Sequence, residues 1–366
     1  MLYYLFYPLR DLFFGFNVFK YITFRAAGAA VTAFILSLVL GPYIINRLYQ
    51  MKMGEKIRDG KDYTALYNLH KTKQGTPTMG GLLIVLTILV STLLWADVLN
   101  KQVILIFFST IFFGAIGFAD DYIKLTQKKR GLSAKTKFLM QVLLTVGIFC
   151  FMISCQETRD VANKLIIPFV KHPFMVGSVI YVIFILCVIA GSSNAVNLTD
   201  GLDGLAIGCV LITAGCYGVL CYVAGHLKFA EYLNVLYIPG SGELTVYCAA
   251  LIGAGLGFLW FNSYPASVFM GDTGSIALGG AMGVIAVLIK KELLLFIIGG
   301  IFVVEAVSVI LQVGSFKLRK GRRIFAMAPI HHHFEMKGWP ETKVTVRFWI
   351  IAIICALVGL GTLKLQ

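Results

Sequence analysis

The sequence predicts an all-α fold: a polytopic integral membrane bundle of about ten transmembrane helices. The hydrophobic fraction is 58% and the charged fraction is 14%, whereas soluble domains carry about 25% charged residues. Apolar runs of about 20 residues, the length that crosses a bilayer, recur along the chain. The polar connections between them are too short for a soluble domain. We therefore expect one transmembrane domain over residues 1–366.

The first 25 residues predict an interfacial segment. They are rich in aromatic rings and are interrupted by Arg10, Asp11, Lys20 and Arg25. Aromatic and charged residues mixed in this way are typical of the depth of the lipid headgroups. Ten spans then follow, near 27–46, 79–95, 102–119, 136–154, 174–193, 204–224, 245–261, 274–289, 292–313 and 346–364.

Two short stretches, one between spans and one inside a span, predict details of the structure. The polar residues 290–292 separate the eighth and ninth spans and predict a tight turn. The small residues of "GAGLG" (253–257) lie inside a span and predict close helix packing.

The distribution of Lys and Arg predicts the orientation. Twenty lie in the loops after the odd-numbered spans, and eleven lie on the other side. Cytoplasmic loops carry the positive excess, so both termini are expected outside and the odd loops inside. We assign most of the basic residues to orientation and to anionic lipid, and we expect no nucleic-acid partner.

Five of the 18 acidic residues fall in three short motifs beside span ends. "FADDYIK" holds Asp120 and Asp121, "NAVNLTDGLDGL" holds Asp200 and Asp203, and "FMGDTGS" holds Asp272. All three motifs lie on the predicted cytoplasmic side. The last two loops contain no Lys or Arg, so their aspartates need a cationic partner from elsewhere or a bound cation. Mg²⁺ suits such carboxylates, because it combines one or two of them with water and phosphate.

Helical geometry limits what the adjacent pair can do. Neighbouring residues on a helix point about 100° apart. Asp120 and Asp121 are therefore expected to face different ligands and hardly to chelate one ion together.

Cationic groups are available on the same side. His70, Lys71 and Lys73 precede the second span, and "APIHHHFEMKGW" (328–339) contains three consecutive histidines. We expect a loop there, in which one histidine meets a phosphate and another packs. Carboxylates for a metal, with Lys and His for anions, describe a phosphoryl-transfer site. Its place at the membrane face suggests one lipid-borne and one water-borne substrate. Glu305, in the middle of the ninth span, is left outside the site, as a relay group or a helix contact.

The motifs resemble a known family. "GTPTMGG", "FADDYIK", "GSSNAVNLTDGLDGLA", "FMGDTGS" and "RIFAMAPIHHHFEMKGWPETKVTVRFW" are similar to the signature segments of the phospho-N-acetylmuramoyl-pentapeptide-transferases. These form a branch of the polyprenyl-phosphate N-acetylhexosamine-1-phosphate transferase superfamily. The resemblance covers nearly the whole chain, and the histidine segment is specific to this branch.

The resemblance implies a reaction and a place. UDP-N-acetylmuramoyl-pentapeptide would give its phospho-sugar to undecaprenyl phosphate, yielding lipid I and UMP, with Mg²⁺ as the cofactor. This is the first membrane step of peptidoglycan synthesis, on the cytoplasmic side of the bacterial inner membrane. The family also implies a homodimer.

It further implies residue roles. Asp272 resembles the magnesium ligand, Asp120 the group that deprotonates the lipid phosphate, and Asp121 its essential neighbour. Phe269 would stack on uracil, and His331 joins the catalytic set. The expected substrate-binding positions are Lys73, Thr78, Lys124, Asn197, Asp200, Gly201, Leu202, Asp203, Asn262, Phe269 and His332.

Several alternatives stay open at this stage. The lipid phosphate could attack directly, which we prefer, or through a covalent phospho-aspartate. Either Asp120 or Asp121 could be the base. A sister transferase that uses UDP-N-acetylglucosamine is the near alternative. A cation transporter is a different class, but it would place its acids near the bilayer midplane.

Overall fold

The computed structural model describes residues 1–51, 73, 75–126, 131–168, 170 and 173–365. Ten long helices dominate this part of the chain. They are α1 (Ile22–Gln50), α2 (Gly81–Trp95), α3 (Lys101–Thr126), α4 (Ala134–Ser154), α5 (Ser178–Thr199), α6 (Leu205–Ala224), α7 (Leu244–Asn262), α8 (Gly271–Leu288), α9 (Gly300–Leu318) and α10 (Glu341–Gly361). His70 and Lys71, which we expected to offer cationic groups, lie outside the described residues.

The predicted membrane bundle is confirmed. Each predicted span corresponds to one of the ten helices, and within the described ranges nine of them have the length and apolarity to cross a membrane. The exception is α2, which has 15 residues. The predicted ninth span is interrupted: a short helix Leu294–Ile298 precedes α9. Large apolar side chains such as Phe108, Leu143 and Ile310 are exposed on the outside of the bundle, as a lipid-facing surface requires.

Short elements cover the end of the bundle that is remote from the acidic motifs. The N-terminal segment forms a helix Leu2–Phe6 and two 3-10 helices, Tyr7–Asp11 and Phe14–Lys20. Strands β1 (Lys164–Leu165) and β2 (Phe174–Met175) pair antiparallel, and further short helices span Gln156–Arg159, Leu227–Tyr232, Ser241–Glu243 and Thr362–Leu365. At the start of α1, the Arg25 guanidinium pairs with Glu243 at 2.6 Å in a buried ion pair.

Helix α8 is the centre of the bundle. It packs between α3 and α5, and every residue from Thr273 to Leu288 is buried. Gly117 on α3 permits the closest approach, because a Cβ at this position would lie 2.2 Å from the carbonyl oxygen of Asp272. The start of α8 is therefore held directly against the last turns of α3, where the two adjacent aspartates lie.

Close packing explains the other glycine-rich stretch. A Cβ at Gly253 on α7 would lie 2.0 Å from the carbonyl oxygen of Ala30 on α1. This confirms that "GAGLG" is a helix-packing motif, since only glycine leaves room for the two backbones to touch.

The turn at residues 290–292 is also confirmed, but its charged side chains are buried. The Lys290 ammonium donates to the Ala162 carbonyl at 3.1 Å and lies 3.4 Å from the Glu292 carboxylate. The Tyr181 hydroxyl donates to the same carboxylate. Burial lowers the pKa of the Lys290 amine to about 8, and that of the Lys291 amine likewise to about 8, although Glu292 opposes both shifts.

Candidate active site

The acidic motifs meet at one end of the bundle. The C-terminal ends of the odd-numbered helices α1, α3, α5, α7 and α9 lie there with the N-terminal ends of the even-numbered helices α2, α4, α6, α8 and α10. Because the chain reverses direction at each span, alternate connections share an end, and this brings distant motifs together. The predicted site residues in the described ranges all lie on these ends or on the connections between them.

Three aspartates form the core of the site. Carboxylate oxygens of Asp120, Asp121 and Asp272 lie within 4.8 Å of one another, an arrangement that could hold a metal ion. The expectation that the two adjacent aspartates hardly chelate one ion together stays a prediction. The two side chains point in different directions along α3. The start of α8 lies beside both of them and carries Asp272, the third carboxylate of the group.

Asp121 holds the N-terminus of α8. Its Oδ1 accepts a hydrogen bond from the Asp272 backbone N–H at 3.2 Å, and its Oδ2 accepts from the Thr273 N–H at 2.9 Å. The Thr273 hydroxyl donates to the same Oδ2 at 2.7 Å. A carboxylate at this position accepts hydrogen bonds from backbone N–H groups that have no partner within the helix, and its negative charge interacts favourably with the positive end of the helix dipole. Asp121 thus fixes the residue that carries the third carboxylate.

Asp120 faces in another direction, as the helical geometry predicted. Its Oδ1 accepts from the Leu132 backbone N–H at 2.6 Å. Its Oδ2 forms ion pairs with the Lys124 ammonium at 2.6 Å and with the Lys137 ammonium at 2.9 Å. The same two ammonium groups lie 3.0 and 2.9 Å from Asp272 Oδ2.

Lys137 was missed as a site residue. In the sequence it is one of several basic residues near the start of α4, and nothing in its spacing separates it from exposed Lys135. The signal was indirect: the loop around Asp272 contains no cation, so its partner had to come from elsewhere. The structure supplies Lys124 and Lys137 for this purpose.

The donor set suits a hard cation. Three carboxylates offer oxygen ligands of the kind that Mg²⁺ prefers, and Asp120 and Asp272 each already direct one oxygen at positive charge. A bound metal ion and the two lysines would share these same oxygens. The residues present therefore fit a metal site. Lys124 and Lys137 would balance the carboxylate charge both with and without a bound metal ion.

A second cluster surrounds Lys73. Its ammonium lies 2.6 Å from Asp203 Oδ1 and 2.5 Å from Glu341 Oε1. Burial would lower the pKa of this amine, but the hydrogen bonds to Asp203 and Glu341 outweigh it and the pKa is raised. Lys73 is therefore the cation that the loop around Asp203 lacks. Glu341, the first residue of α10, was not predicted.

Backbone pairing joins the two clusters. The Phe269 N–H donates to the Pro77 carbonyl at 2.8 Å, and the Phe269 carbonyl accepts from the Gly80 N–H at 2.8 Å. Thr78 lies within this pairing, beside Gly271 and Asp121. The segment that carries Lys73 and Thr78 is thus aligned with the segment that leads into α8.

Asn262 serves both loops at once. Its Oδ1 accepts from the Gly204 N–H at 3.1 Å, and its Nδ2 donates to the Val268 carbonyl at 2.8 Å. We expected it to contact substrate, whereas the structure shows its side-chain amide joining two connections of the site. Substrate binding by Asn262 stays a prediction.

The three histidines lie on a short helix, Ile330–Met336, and not in the loop we expected. Pro329 precedes the helix, and the first turn contains all three rings, which therefore face different partners. His331 Nδ1 lies 3.0 Å from Glu305 Oε1, and both residues are fully buried. His332 pairs with Glu335 at 2.6 Å, and His333 Nδ1 accepts from the Ala326 N–H at 3.0 Å.

Glu305 therefore belongs beside the site, although we had left it outside. Its carboxylate is the partner of His331, whose Nε2 atom faces the Asp200–Asp203 turn. A Cβ at Gly201 would lie 2.3 Å from this Nε2. Asn197 lies in the last turn of α5 and is half-buried. Asp200, Gly201 and Leu202 follow the end of α5; the first two are half-buried and Leu202 is buried.

The fold and the site define a class of protein: a polytopic membrane transferase with an acidic, lysine-lined centre. Residues 103–290 match the model of glycosyl transferase family 4. Residues 73–85, which include Lys73 and Thr78, match signature 1 of phospho-N-acetylmuramoyl-pentapeptide-transferase.

Whole-length relatives identify the branch. The chain is 54% identical over 369 residues to the phospho-N-acetylmuramoyl-pentapeptide-transferase of Desulfatibacillum aliphaticivorans. It is 53% identical to that of Geobacter sp. (strain M21) and 51% identical to that of Desulforapulum autotrophicum. All three alignments cover 100% of both chains. The chain belongs to the phospho-N-acetylmuramoyl-pentapeptide-transferase family.

Proposed function

We propose that this protein transfers phospho-N-acetylmuramoyl-pentapeptide from its UDP-activated form to undecaprenyl phosphate, forming lipid I and UMP. The observation that carries this proposal is the convergence of Asp120, Asp121 and Asp272 with Lys124 and Lys137 at one end of the bundle. Following the Lys and Arg distribution, we place that end at the cytoplasmic face of the bacterial inner membrane, with both termini outside.

The reaction joins two anions. An oxygen of the lipid phosphate forms a bond to the β-phosphorus of the UDP-sugar. The bond from that phosphorus to the oxygen bridging to the α-phosphate breaks, and UMP leaves with the electron pair. Lys124 and Lys137 would offset the negative charge that accumulates, since positioning and electrostatic stabilisation dominate phosphoryl transfer.

Mg²⁺ is the cofactor we propose, held by Asp272 beside Asp120. When bound, it would supply Lewis-acid stabilisation of the phosphate oxygens. The hard oxygen ligands and the phosphate substrates both support this choice of ion.

Direct attack by the lipid phosphate is the mechanism we favour. Asp121 is held by three donors from the start of α8. Asp120 is held by Leu132 and by two ammonium groups. A carboxylate held in this way is a poor nucleophile, whereas the lipid phosphate is already a competent one. We assign Asp120 to the lipid phosphate and its proton, and Asp121 to positioning Asp272.

We assign the second cluster to the nucleotide. Lys73, Asp203 and Phe269 offer a cation, a carboxylate and an aromatic ring for uracil. Other binding positions are Thr78, Asn197, Asp200, Gly201, Leu202, Asn262 and His332. His331 is proposed to act on the phosphates, with its ring oriented by Glu305. The homodimer that the resemblance implies stays a prediction.

The test uses purified protein, both substrates and Mg²⁺, with UMP release as the readout. We expect Asp272→Asn to lower turnover by about 10³-fold while the melting temperature is retained. Glu157→Gln, at the remote end, serves as the control. Near-wild-type turnover in Asp272→Asn would refute the metal assignment.

Two substrate controls separate the alternatives. UMP release from UDP-N-acetylglucosamine alone would favour the sister transferase. Release without undecaprenyl phosphate, or cation flux in vesicles without any turnover, would refute the proposed function.

A further inference from the structure

Glu341 occupies a junction of the site. It is the first residue of α10, and its side chain is 11% exposed. The same oxygen, Oε1, accepts from the Lys73 ammonium at 2.5 Å and from the Asp203 backbone N–H at 2.7 Å. The Glu341 carboxylate thus binds the Lys73 ammonium and also the backbone of Asp203, the residue with which Lys73 pairs.

Asp203 has several other contacts that hold it in place. Its Oδ2 accepts from the Ala266 N–H at 3.0 Å, and its carbonyl accepts from the Thr345 hydroxyl at 3.3 Å. Lys73 is different, because its long side chain is flexible. Among the described residues, its ammonium has hydrogen bonds to Asp203 and Glu341. Glu341 therefore decides where this ammonium lies more than it decides where Asp203 lies.

The neighbourhood of Lys73 has a recognisable chemistry. Its ammonium lies 5.9 Å from the centroid of the half-buried Phe269 ring. An ammonium group has three donors, and two are assigned above. An aromatic face, a cationic donor and a carboxylate acceptor are what a uracil ring needs: a surface for stacking, a donor for a carbonyl oxygen and an acceptor for an N–H.

We infer that Glu341 is a positioning residue for the base of the nucleotide substrate, holding Lys73 where its ammonium can donate to a uracil carbonyl. This inference rests on the proposed function and extends it to a residue for which no role was predicted. Without the carboxylate, the Lys73 side chain would pair with Asp203 alone and sample other rotamers. Fixing the Lys73 side chain in one rotamer on nucleotide binding would then cost conformational entropy, and this cost would weaken the binding.

The experiment compares Glu341→Gln, Lys73→Met and the double variant in the full-length protein. UMP affinity is measured by calorimetry, and the KM for UDP-N-acetylmuramoyl-pentapeptide and kcat are measured by UMP release. Glu341→Gln keeps the shape and an acceptor but loses the charge. We expect it to raise both the KM and the UMP dissociation constant about tenfold, the scale of one charge-assisted hydrogen bond, with kcat and the KM for undecaprenyl phosphate within about twofold.

Coupling separates positioning from a general structural role. If Glu341 acts through Lys73, the double variant should bind UMP no more weakly than Lys73→Met alone. Glu341→Asp should recover part of the affinity. The matched control is Glu157→Gln, which removes a carboxylate from another Lys–Glu pair, at 3.1 Å from Lys101 at the remote end, and should leave UMP binding unchanged.

Three results would overturn the inference: unchanged UMP affinity in Glu341→Gln, additive losses in the double variant, or a loss confined to kcat. Failure of the proposed function looks different, because the wild-type protein would then release no UMP from UDP-N-acetylmuramoyl-pentapeptide. If Glu341→Ala fails to fold, the isosteric Gln variant still decides the question.

Discussion

Replacing Lys137 by Met tests the electrostatics of the acidic centre. Lys137 lies 2.9 Å from Asp120 and 2.9 Å from Asp272, and its side chain is 23% exposed. The three aspartates and two lysines together carry one net negative charge, and Met leaves two. We expect turnover to fall about 10²- to 10³-fold, the typical loss when one preorganised positive group is removed from a charged transition state.

The same variant should bind metal more tightly. Lys137 competes with a cation for these carboxylates, and its removal leaves Lys124 as the one remaining ammonium of the pair that contacts Asp120 and Asp272. Two unit charges about 4 Å apart interact by ~1 kcal/mol in water, and a dication doubles this to ~2 kcal/mol, or about 30-fold in affinity. Screening by the exposed side of the site reduces the effect, so about a tenfold decrease in the Mg²⁺ concentration for half-maximal activity is expected.

The assay is UMP release titrated with Mg²⁺. Lys135→Met is the matched control, because Lys135 lies in the same first turn of α4 but is exposed. It should behave as the wild type does. Unchanged turnover in Lys137→Met would show that Lys137 does not offset substrate charge. A higher Mg²⁺ requirement in this variant would show that Lys137 does not compete with the metal.

Three further variants probe separate contacts. Asp121→Asn should lower turnover about 10²-fold and also lower the melting temperature, because it weakens the N-terminal hold on α8; loss of activity without loss of stability would contradict the positioning role. Glu305→Gln should lower kcat about tenfold, since it removes the carboxylate that orients the His331 ring; an unchanged kcat would argue against this. Stability should rise between pH 8 and 10.5, because the unfolded chain keeps the Lys290 proton that the folded state gives up. In Lys290→Met, the melting temperature should rise less steeply with pH over this range than it does in the wild type. An unchanged dependence of the melting temperature on pH would refute this assignment.

The helices and the site motifs were predictable from local pattern. Apolar run length predicted ten spans because the bilayer sets a fixed helix length, and each span has its helix. The helical angle of about 100° predicted that Asp120 and Asp121 would have different partners, and they do. The absence of cations near Asp203 and Asp272 predicted that their partners would come from distant loops.

Other features depended on contacts that no local pattern contains. Lys137 and Lys135 are equivalent in sequence, and only the packing of α4 against α3 turns one towards the aspartates and leaves the other exposed. The histidine segment forms a helix where we expected a loop. Glu305 lies mid-span in the sequence, yet the chain brings His331 to it from 26 residues away.

The sequence by itself determined that this protein is a helical membrane bundle with carboxylates and cations concentrated at one end, because hydrophobicity, period and charge are local properties. It also determined the family, since the motifs occur in order over the whole chain. Only the tertiary structure decided which cation meets which carboxylate. That assignment depends on close helix approach, as at Gly117 against the start of α8, and such an approach is a property of pairs of distant segments.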